Sequence, residues 1–244
     1  MKSILMDIVA HTHKLGFLNT VRVIGTEENT IFQSVADDRT VVMLGQTSEP
    51  QKNMIGIFGM PQLEKLHYLL GCKEYQEDAK IELVIAERNE KVIPVGIHFK
   101  NKDGDFTNDY RFMNEEYLSK KMKAVEFIEP TWDLELSPSL NSISRFQYQV
   151  GANSDNTTFL AKTEDDQLKF TFGDNTTHGG EFVFSSEITG KLRQSCAWPV
   201  APVLSLLKLA NSNKTSMSFS NKGVMQITLD SGIAVYRYFI PAKV

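Results

Sequence analysis

Hydrophobic and polar residues follow two different spacings along this chain, and the two spacings occur in a repeated order. Near the N-terminus, apolar residues three and four positions apart predict a helix over residues 3–15. Short runs that are rich in β-branched and aromatic residues come next, separated by turn-forming residues, and predict strands. These runs are residues 20–25, 29–35, 40–47 and 54–58.

A second helix and three more strands complete the first half of the pattern. Pro61 stands at the first position of this helix, and Gly71 follows its last turn. Leu63, Leu66 and Leu70 share one of its faces. The strands are predicted at residues 80–87, 91–99 and 106–113.

Residues 114–131 interrupt the pattern, because they are rich in charge, contain no glycine and include Pro130 near their end. We interpret them as a linker between two domains, residues 1–113 and residues 132–244.

The second domain repeats the order of the first, with a helix, several strands, a helix opened by proline and three strands. A strand at 132–136 leads into a helix over 138–150, with Ser137 as its N-cap and Pro138 at its first position. Pro202 opens the other helix. The remaining strands are predicted at residues 157–163, 167–173, 180–188, 192–198, 215–220, 225–230 and 234–240. The sequence therefore predicts an α+β protein of two tandem domains, each with two helices packed on antiparallel sheets.

Basic residues are concentrated in the four helical segments, although the whole chain has a net charge of −4. The segments 2–15, 61–73, 138–150 and 202–214 carry net charges of +1, +1, +1 and +2, which total +5, so the other residues carry −9. Each helix alone is ordinary, because a solvent-facing helix commonly carries lysine. If all four share one side of the molecule, that side is weakly basic and attracts phosphates without reading bases.

The composition is that of a globular protein without a membrane segment. Hydrophobic residues make up 41% of the chain, and no run approaches the ~20 apolar residues that a membrane span needs. Asp7, His11 and His13 interrupt the N-terminal apolar run, so we expect no signal peptide. Cys72 and Cys196 lack metal-binding spacing and are expected to be buried free thiols, which favours a reducing, intracellular compartment.

The sequence contains no recognisable catalytic constellation. His11 and His13 point to different faces of a helix and therefore make a poor metal pair. The acidic pairs at 37–38 and 165–166 lie in predicted turns, where aspartate is favoured by local backbone hydrogen bonds. We therefore expect a protein that is not an enzyme and that needs neither a metal nor a cofactor.

Four short segments, taken in order, resemble the sliding DNA clamps, the family that includes proliferating cell nuclear antigen and the clamps of tailed bacteriophages. They are FQSVADDRTVVM (32–43), DYRFM (109–113), GGEFVFSSE (179–187) and YRYFIPAK (236–243). The resemblance covers the whole chain in the order of its elements. It implies two tandem clamp-type domains, and a ring of six such domains from three chains with the helices on its inner wall.

The resemblance implies the function of a DNA polymerase processivity factor. Such a factor is a homotrimeric ring that encircles double-stranded DNA without sequence preference. It docks a DNA polymerase, a clamp loader and other replication proteins by peptide motifs, and it has no membrane partner. It would be intracellular, in the host cytoplasm if a phage encodes it, and the short tail and linker favour a phage-type clamp.

The resemblance also assigns residues to three surfaces. The expected DNA-facing residues are Lys14, Lys65, Lys73, Arg145, Lys208 and Lys214, with His11, His13 and Asn211 as further candidates. The expected partner pocket consists of Val35, Thr40, Val41, Val125, Ile128, Phe239, Ile240 and Pro241, although the linker sequence KKMK (120–123) departs from the usual acidic or proline-rich linkers of the family. The expected subunit interface pairs an edge strand with Asp109, Tyr110, Arg111 and Phe112 against one with Glu181, Phe182, Val183 and Phe184.

Two other functions fit the same pattern. One is a monomeric processivity factor of the same fold, which would hold DNA on a basic face. The other is an unrelated β-rich binding protein or hydrolase, in which Trp132 and Trp198 could serve as aromatic platforms for a carbohydrate.

Overall fold

The structure, a computed structural model, describes residues 1–243 apart from 89–90, 124–127, 175, 177 and 211–213. The chain divides into two compact units. The first comprises Met1–Glu126 and Ser231–Tyr236, and the second comprises Phe127–Asp230 and Arg237–Val244. The predicted α+β class is confirmed in both units.

Among its described residues, the first unit contains three helices, three single 3-10 turns and seven strands. Its helices are α1 (Lys2–Ala10), α2 (Leu63–Gly71) and α3 (Glu115–Lys121), and its 3-10 turns are His13–Leu15, Lys52–Met54 and Lys73–Tyr75. Its strands are β1 (Val21–Gly25), β2 (Thr30–Val35), β3 (Val42–Thr47), β4 (Gly56–Met60), β5 (Lys80–Arg88), β6 (Lys91–Lys100) and β7 (Thr107–Arg111). They form antiparallel sheets in the orders β3-β2-β1-β4 and β5-β6-β7.

The second unit has two helices, α4 (Leu140–Ala152) and α5 (Val200–Leu207). Its strands are β8 (Leu134–Leu136), β9 (Thr158–Glu164), β10 (Gln167–Phe172), β11 (Gly180–Ser185), β12 (Thr189–Gly190), β13 (Cys196–Pro199), β14 (Thr215–Ser220) and β15 (Val224–Asp230). They form antiparallel sheets in the orders β12-β8-β14-β15 and β11-β10-β9-β13. The last strand, β16 (Ala234–Pro241), contributes residues 234–236 to the first unit and the rest to the second.

In each unit the core forms where a pair of helices packs together and buries its apolar faces. In the first unit α1 packs against α2, and Leu5, Ile8 and Leu66 are completely buried. In the second unit α4 packs against α5. Phe146 of α4 lies 5.1–6.4 Å, between ring centroids, from phenylalanines of the adjoining sheet, which are Phe159, Phe170, Phe172 and Phe184.

The helices begin at different residues from those that the prolines predicted. Pro61 and Pro138 lie outside their helices, whose N-caps are Gln62 and Ser139, and Pro202 is the third residue of α5. The predicted cap at Ser137 was therefore wrong, because Ser139 accepts the backbone N–H of Ser142. Proline lacks an N–H and is compatible with the residues before a helix and with its whole first turn, so it does not fix the first residue.

Residues 115–121, which the sequence assigned to a linker, form helix α3 in the first unit. The Oδ1 atom of Asn114 caps this helix by accepting the Tyr117 N–H at 2.8 Å. Leu118 is completely buried. A Cβ atom at Gly59 would lie 2.7 Å from a methyl carbon of Leu118, so glycine at that position of β4 lets α3 approach the sheet closely.

A nearly buried carboxylate joins α1 to residues 231–236 of the same unit. Asp7 accepts hydrogen bonds from the Ser231 hydroxyl at 3.0 Å and from the Tyr236 hydroxyl at 2.8 Å. The ring of His11 lies 3.3 Å from the other carboxylate oxygen and stacks on Tyr236. Burial alone would raise the pKa of Asp7, but the bonds from His11, Tyr236 and Ser231 outweigh it and hold the pKa below its ordinary value.

We expect Asp7→Asn to lower the free energy of unfolding at neutral pH by about 2 kcal/mol, because hydrogen bonds to a charged group are lost. The pKa of Asp7 is lower in the folded chain, so the stability that this carboxylate supplies is complete above its unfolded pKa of about 4 and is lost as the pH falls further. Urea unfolding at a series of pH values measures this difference. Asp78→Asn is the control, because Asp78 pairs with Lys102 at an exposed site and should change stability little. If Asp7→Asn lowers the free energy of unfolding as much in acid as at neutral pH, the stabilisation does not come from the charged carboxylate of Asp7.

Candidate nucleic-acid interface

Three of the predicted DNA-facing lysines lie exposed in the first unit. Lys65 is in α2, whereas Lys14 and Lys73 are in the 3-10 turns that follow the C-terminal ends of α1 and α2. No salt bridge joins any of the three to a carboxylate among the residues that the structure describes.

Two histidines lie beside Lys14. The ring centroids of His13 and His67 are 5.4 Å apart. Partial burial of the His67 ring and the positive charges of Lys14 and His13 together lower the pKa of His67. This shift indicates that His67, Lys14 and His13 lie in one region of positive potential.

The predicted cations of the second unit are less uniform. Lys208 is exposed at the C-cap of α5, and Lys214 lies 3.8 Å from a carboxylate oxygen of Asp230. Arg145 donates from Nη1 to the backbone carbonyl of Val183 at 3.1 Å, and its guanidinium carbon lies 5.3 Å from the ring centroid of Phe182. Arg145 is therefore held beside β11, whereas Lys208 has no ion pair with any residue that the structure describes.

Carboxylates are scarce in the helix pairs. Across α1, α2, α4 and α5, which are described throughout, the acidic residues are Asp7 and Glu64. Asp7 is nearly buried and hydrogen-bonded, so Glu64 is the one exposed carboxylate of these four helices. The remaining further candidates do not add free charge, because His11 is engaged with Asp7 and Asn211 lies outside the described residues.

Strand β7 is at the edge of its sheet, and Tyr110 is the one buried residue among its five. Tyr110 is buried and donates its hydroxyl to the carbonyl of Pro61, and Phe112 stacks on Phe58. Asp109 and Arg111 face outward. The hydrogen bond from His98, at 2.9 Å, is the main cause that lowers the pKa of Asp109. Loss of hydration opposes it and the charge of Arg111 adds to it, so the pKa stays below its ordinary value.

Strand β11 is also at the edge of its sheet. Phe182 and Phe184 are buried in the aromatic core, while Glu181 is exposed and lies 2.9 Å from Lys162. A groove of about 310 Å³ runs beside this strand and is lined by Ser144, Arg145, Tyr148, Gln149, Glu181 and Phe182. The exposed fraction of Tyr148 is 77%, so an aromatic ring stands beside a free strand edge. The sequence analysis did not select Tyr148, although its position three residues after Arg145 on the polar face of α4 could have identified it.

The residues predicted for the partner pocket have different environments. Val35 lines a groove in the first unit, Thr40 is half-buried in the turn that follows, and Val41 is completely buried. In the second unit Ile128 is 91% exposed and Pro241 is exposed. Phe239 and Ile240 of β16 are both buried, with exposed fractions of 4% and 0%. Adjacent strand residues point to opposite faces, so both faces of β16 are covered at this position. Val125 lies outside the described residues.

Features that would support other functions are scarce. Trp198 is completely buried and contacts Phe219 edge-on, so it cannot serve as the predicted platform, and Trp132 is half-buried with its indole N–H bonded to Glu129. Cys72 and Cys196 are free thiols, of which Cys196 is buried and Cys72 only half-buried. Among the described residues there is no group of three or more potential metal ligands, and none of the described helices is both long and apolar enough to span a bilayer.

The structure matches solved structures of proliferating cell nuclear antigen along its whole length. The protein from A. fulgidus, solved with the C-terminal region of FEN-1 bound, has a TM-score of 0.70 at 10% sequence identity, and the match covers 100% of this chain and 95% of that one. The protein from Thermococcus kodakaraensis has a TM-score of 0.69 at 12% identity, covering 98% and 97%. The protein from Entamoeba histolytica has a TM-score of 0.67 at 11% identity, covering 100% and 94%.

No protein-family model matches the sequence, and no curated protein matches it. The likeness is therefore one of fold. The chain has the fold of the sliding clamps, with two tandem clamp-type domains, as the sequence predicted.

We expect Lys14→Gln to raise the pKa of His67, because it removes a positive charge that disfavours the protonated ring. The pKa can be measured from the pH dependence of the ring proton signals in NMR spectra. Lys102→Gln, which removes an equally exposed charge from the loop after β6, should leave it unchanged. If the pKa of His67 is the same in Lys14→Gln as in the unchanged chain, the charge of Lys14 does not act on the His67 ring.

Proposed function

We propose that this chain is a DNA polymerase processivity factor, a sliding clamp whose three copies form a ring around duplex DNA. The observation that carries the proposal is the fold match, which extends over the whole chain to proteins of nearly the same length. In this proposal the two helix pairs of each chain form part of the inner wall, and strands β7 and β11 form the contacts between chains.

The free strand edges support a closed ring. β7 and β11 each have one hydrogen-bonded neighbour among the described strands, so each leaves backbone donors and acceptors along its other side. If β7 of one chain pairs with β11 of the next, both edges are satisfied by the same contact. The exposed side chains also include opposite charges, with Arg111 on β7 and Glu181 on β11. The groove beside Tyr148 adds apolar surface to this contact.

The distribution of charge supports weak, sequence-independent contact with DNA. Lys14, Lys65, Lys73 and Lys208 are exposed without a carboxylate partner among the described residues. Isolated lysines attract phosphates as point charges and do not read bases. Because the ring itself would prevent dissociation, a few such contacts suffice, and stronger ones would slow sliding.

In this role the chain has no catalytic centre of its own and acts by holding partners on DNA. Its partners would be double-stranded DNA, further copies of itself, a DNA polymerase and a clamp loader. It would work in the cell interior where DNA is copied, which is the host cytoplasm if the chain is phage-encoded.

We expect the chain to sediment as a trimer, at three times its mass of 27.6 kDa, and Tyr148→Asp to convert it to monomers. Tyr148 would be buried between chains, and burying an unpaired carboxylate there costs several kcal/mol. Sedimentation velocity over a range of concentrations measures both.

Tyr68→Asp is the matched control, because Tyr68 is 78% exposed on α2, as Tyr148 is 77% exposed on α4. It should remain trimeric. A wild-type chain that stays monomeric at high concentration would overturn the ring and favour a monomeric factor that binds DNA on one face. If Tyr148→Asp and Tyr68→Asp change the oligomeric state equally, α4 and β11 do not form the interface between chains.

A further inference from the structure

We propose that a basic groove in the first unit binds an acidic segment of a partner protein. The groove lies between the turn after β2 and the end of α3, and its volume is about 510 Å³. Binding of such a segment extends the proposed function, because it gives a chemical class to the docked peptide. This binding requires neither the ring nor DNA. We call it the KKMK groove, after residues 120–123, which form one wall.

The floor of the KKMK groove is apolar. Ala36 and Met122 are buried, with exposed fractions of 2% and 9%, and Val35 is half-buried. A bound segment can therefore place an aliphatic or aromatic side chain on the floor and gain free energy from removing that surface from water.

The rim of the groove is strongly basic. Among the described lining residues, four are cations, Arg39, Lys120, Lys121 and Lys123, and one, Asp37, is a carboxylate. Lys120 pairs with Glu116 at 2.8 Å, whereas the structure gives Arg39, Lys121 and Lys123 no ion pair with any residue that it describes. Three exposed like charges around an apolar floor favour a ligand that carries several carboxylates.

The turn holds Arg39 in a fixed position. Arg39 has φ of 58°, in the left-handed region that non-glycine residues seldom adopt, and its backbone N–H donates to the Ala36 carbonyl at 2.8 Å. Asp38 supports the turn by accepting the backbone N–H of Thr40 at 3.0 Å. Because the turn is ordered before binding, a ligand does not have to pay the full cost of ordering the Arg39 backbone.

A buried arginine adds to the positive potential near the groove. Arg22 on β1 is 4% exposed and donates from Nη2 to the Ser119 hydroxyl of α3 at 3.0 Å. Its Nε and Nη1 atoms have no hydrogen-bond partner among the described residues. Thr20, which lines the groove, immediately precedes β1, and Arg22 is the second residue of that strand. A buried cation without a carboxylate favours an anion close by.

The lining favours a peptide over a nucleic acid. Single-stranded nucleic acids bind by stacking bases on aromatic side chains, and none of the described residues that line this groove is aromatic. A phosphate backbone would also make no use of the apolar floor. The occupant that fits both features is a protein segment with an apolar anchor next to several aspartates or glutamates.

The test uses the full chain and two labelled synthetic peptides without DNA. One peptide carries a Leu-Phe anchor next to a run of glutamates, and the other has glutamine at each glutamate position. Fluorescence anisotropy should give about tenfold tighter binding of the glutamate peptide, and the difference should shrink as salt is raised from about 0.05 M to about 0.5 M. Arg39→Gln and Lys121→Gln should each weaken its binding by about threefold.

Lys102→Gln is the control, because it removes an exposed cation from another loop of the same unit and should leave peptide affinity unchanged. Equal affinity for the two peptides, or no effect of Arg39→Gln and Lys121→Gln, would overturn the proposal. A single-stranded oligonucleotide that binds more tightly than the glutamate peptide, and loses affinity in the same two variants, would assign the groove to nucleic acid instead. Since no DNA ring is involved, a monomeric chain that still prefers the glutamate peptide would reject the ring and keep this inference.

Discussion

Burial of one face of each helix pair is the constraint on which the rest of this molecule depends. Leu5, Ile8 and Leu66 in the first unit, and Phe146 in the second, must be withdrawn from water, and this fixes the rotation of their helices on the sheets. The opposite faces are then necessarily exposed. They carry lysines and, in the four helices described above, a single exposed carboxylate, so the packing of the core also determines where positive charge can meet an anion.

The strand edges impose a second constraint of a different kind. A sheet that ends at β7 or β11 leaves backbone groups exposed to water, and a partner strand can satisfy them at little cost in conformational entropy because the edge is already ordered. Tyr110 on β7 and Phe182 and Phe184 on β11 face the core, whereas Asp109, Arg111 and Glu181 are exposed.

The sequence predicted the class of fold because periodicity and turn residues report on local structure, and the repeat of that order reported on the two units. The sequence analysis was wrong about features that depend on more than local patterns. Helix α3 was interpreted as part of the linker because its apolar face is short. Its helix signals are Asn114 as a cap, glutamates in the first turn and lysines in the last turn. The hydrogen bond of Arg145 to Val183 and the burial of Phe239 depend on contacts between residues distant in sequence, which spacing cannot supply.

The central claim is that DNA is held by topology, and retention on closed and open DNA tests it most directly. Labelled chain, loaded on circular duplex and separated from free protein by gel filtration, should remain with the circles at a salt concentration that breaks lysine–phosphate contacts. Cutting the circles once with a restriction enzyme should release it from the ends. Equal retention before and after cutting would contradict encirclement and indicate that the chain binds DNA by its surface alone.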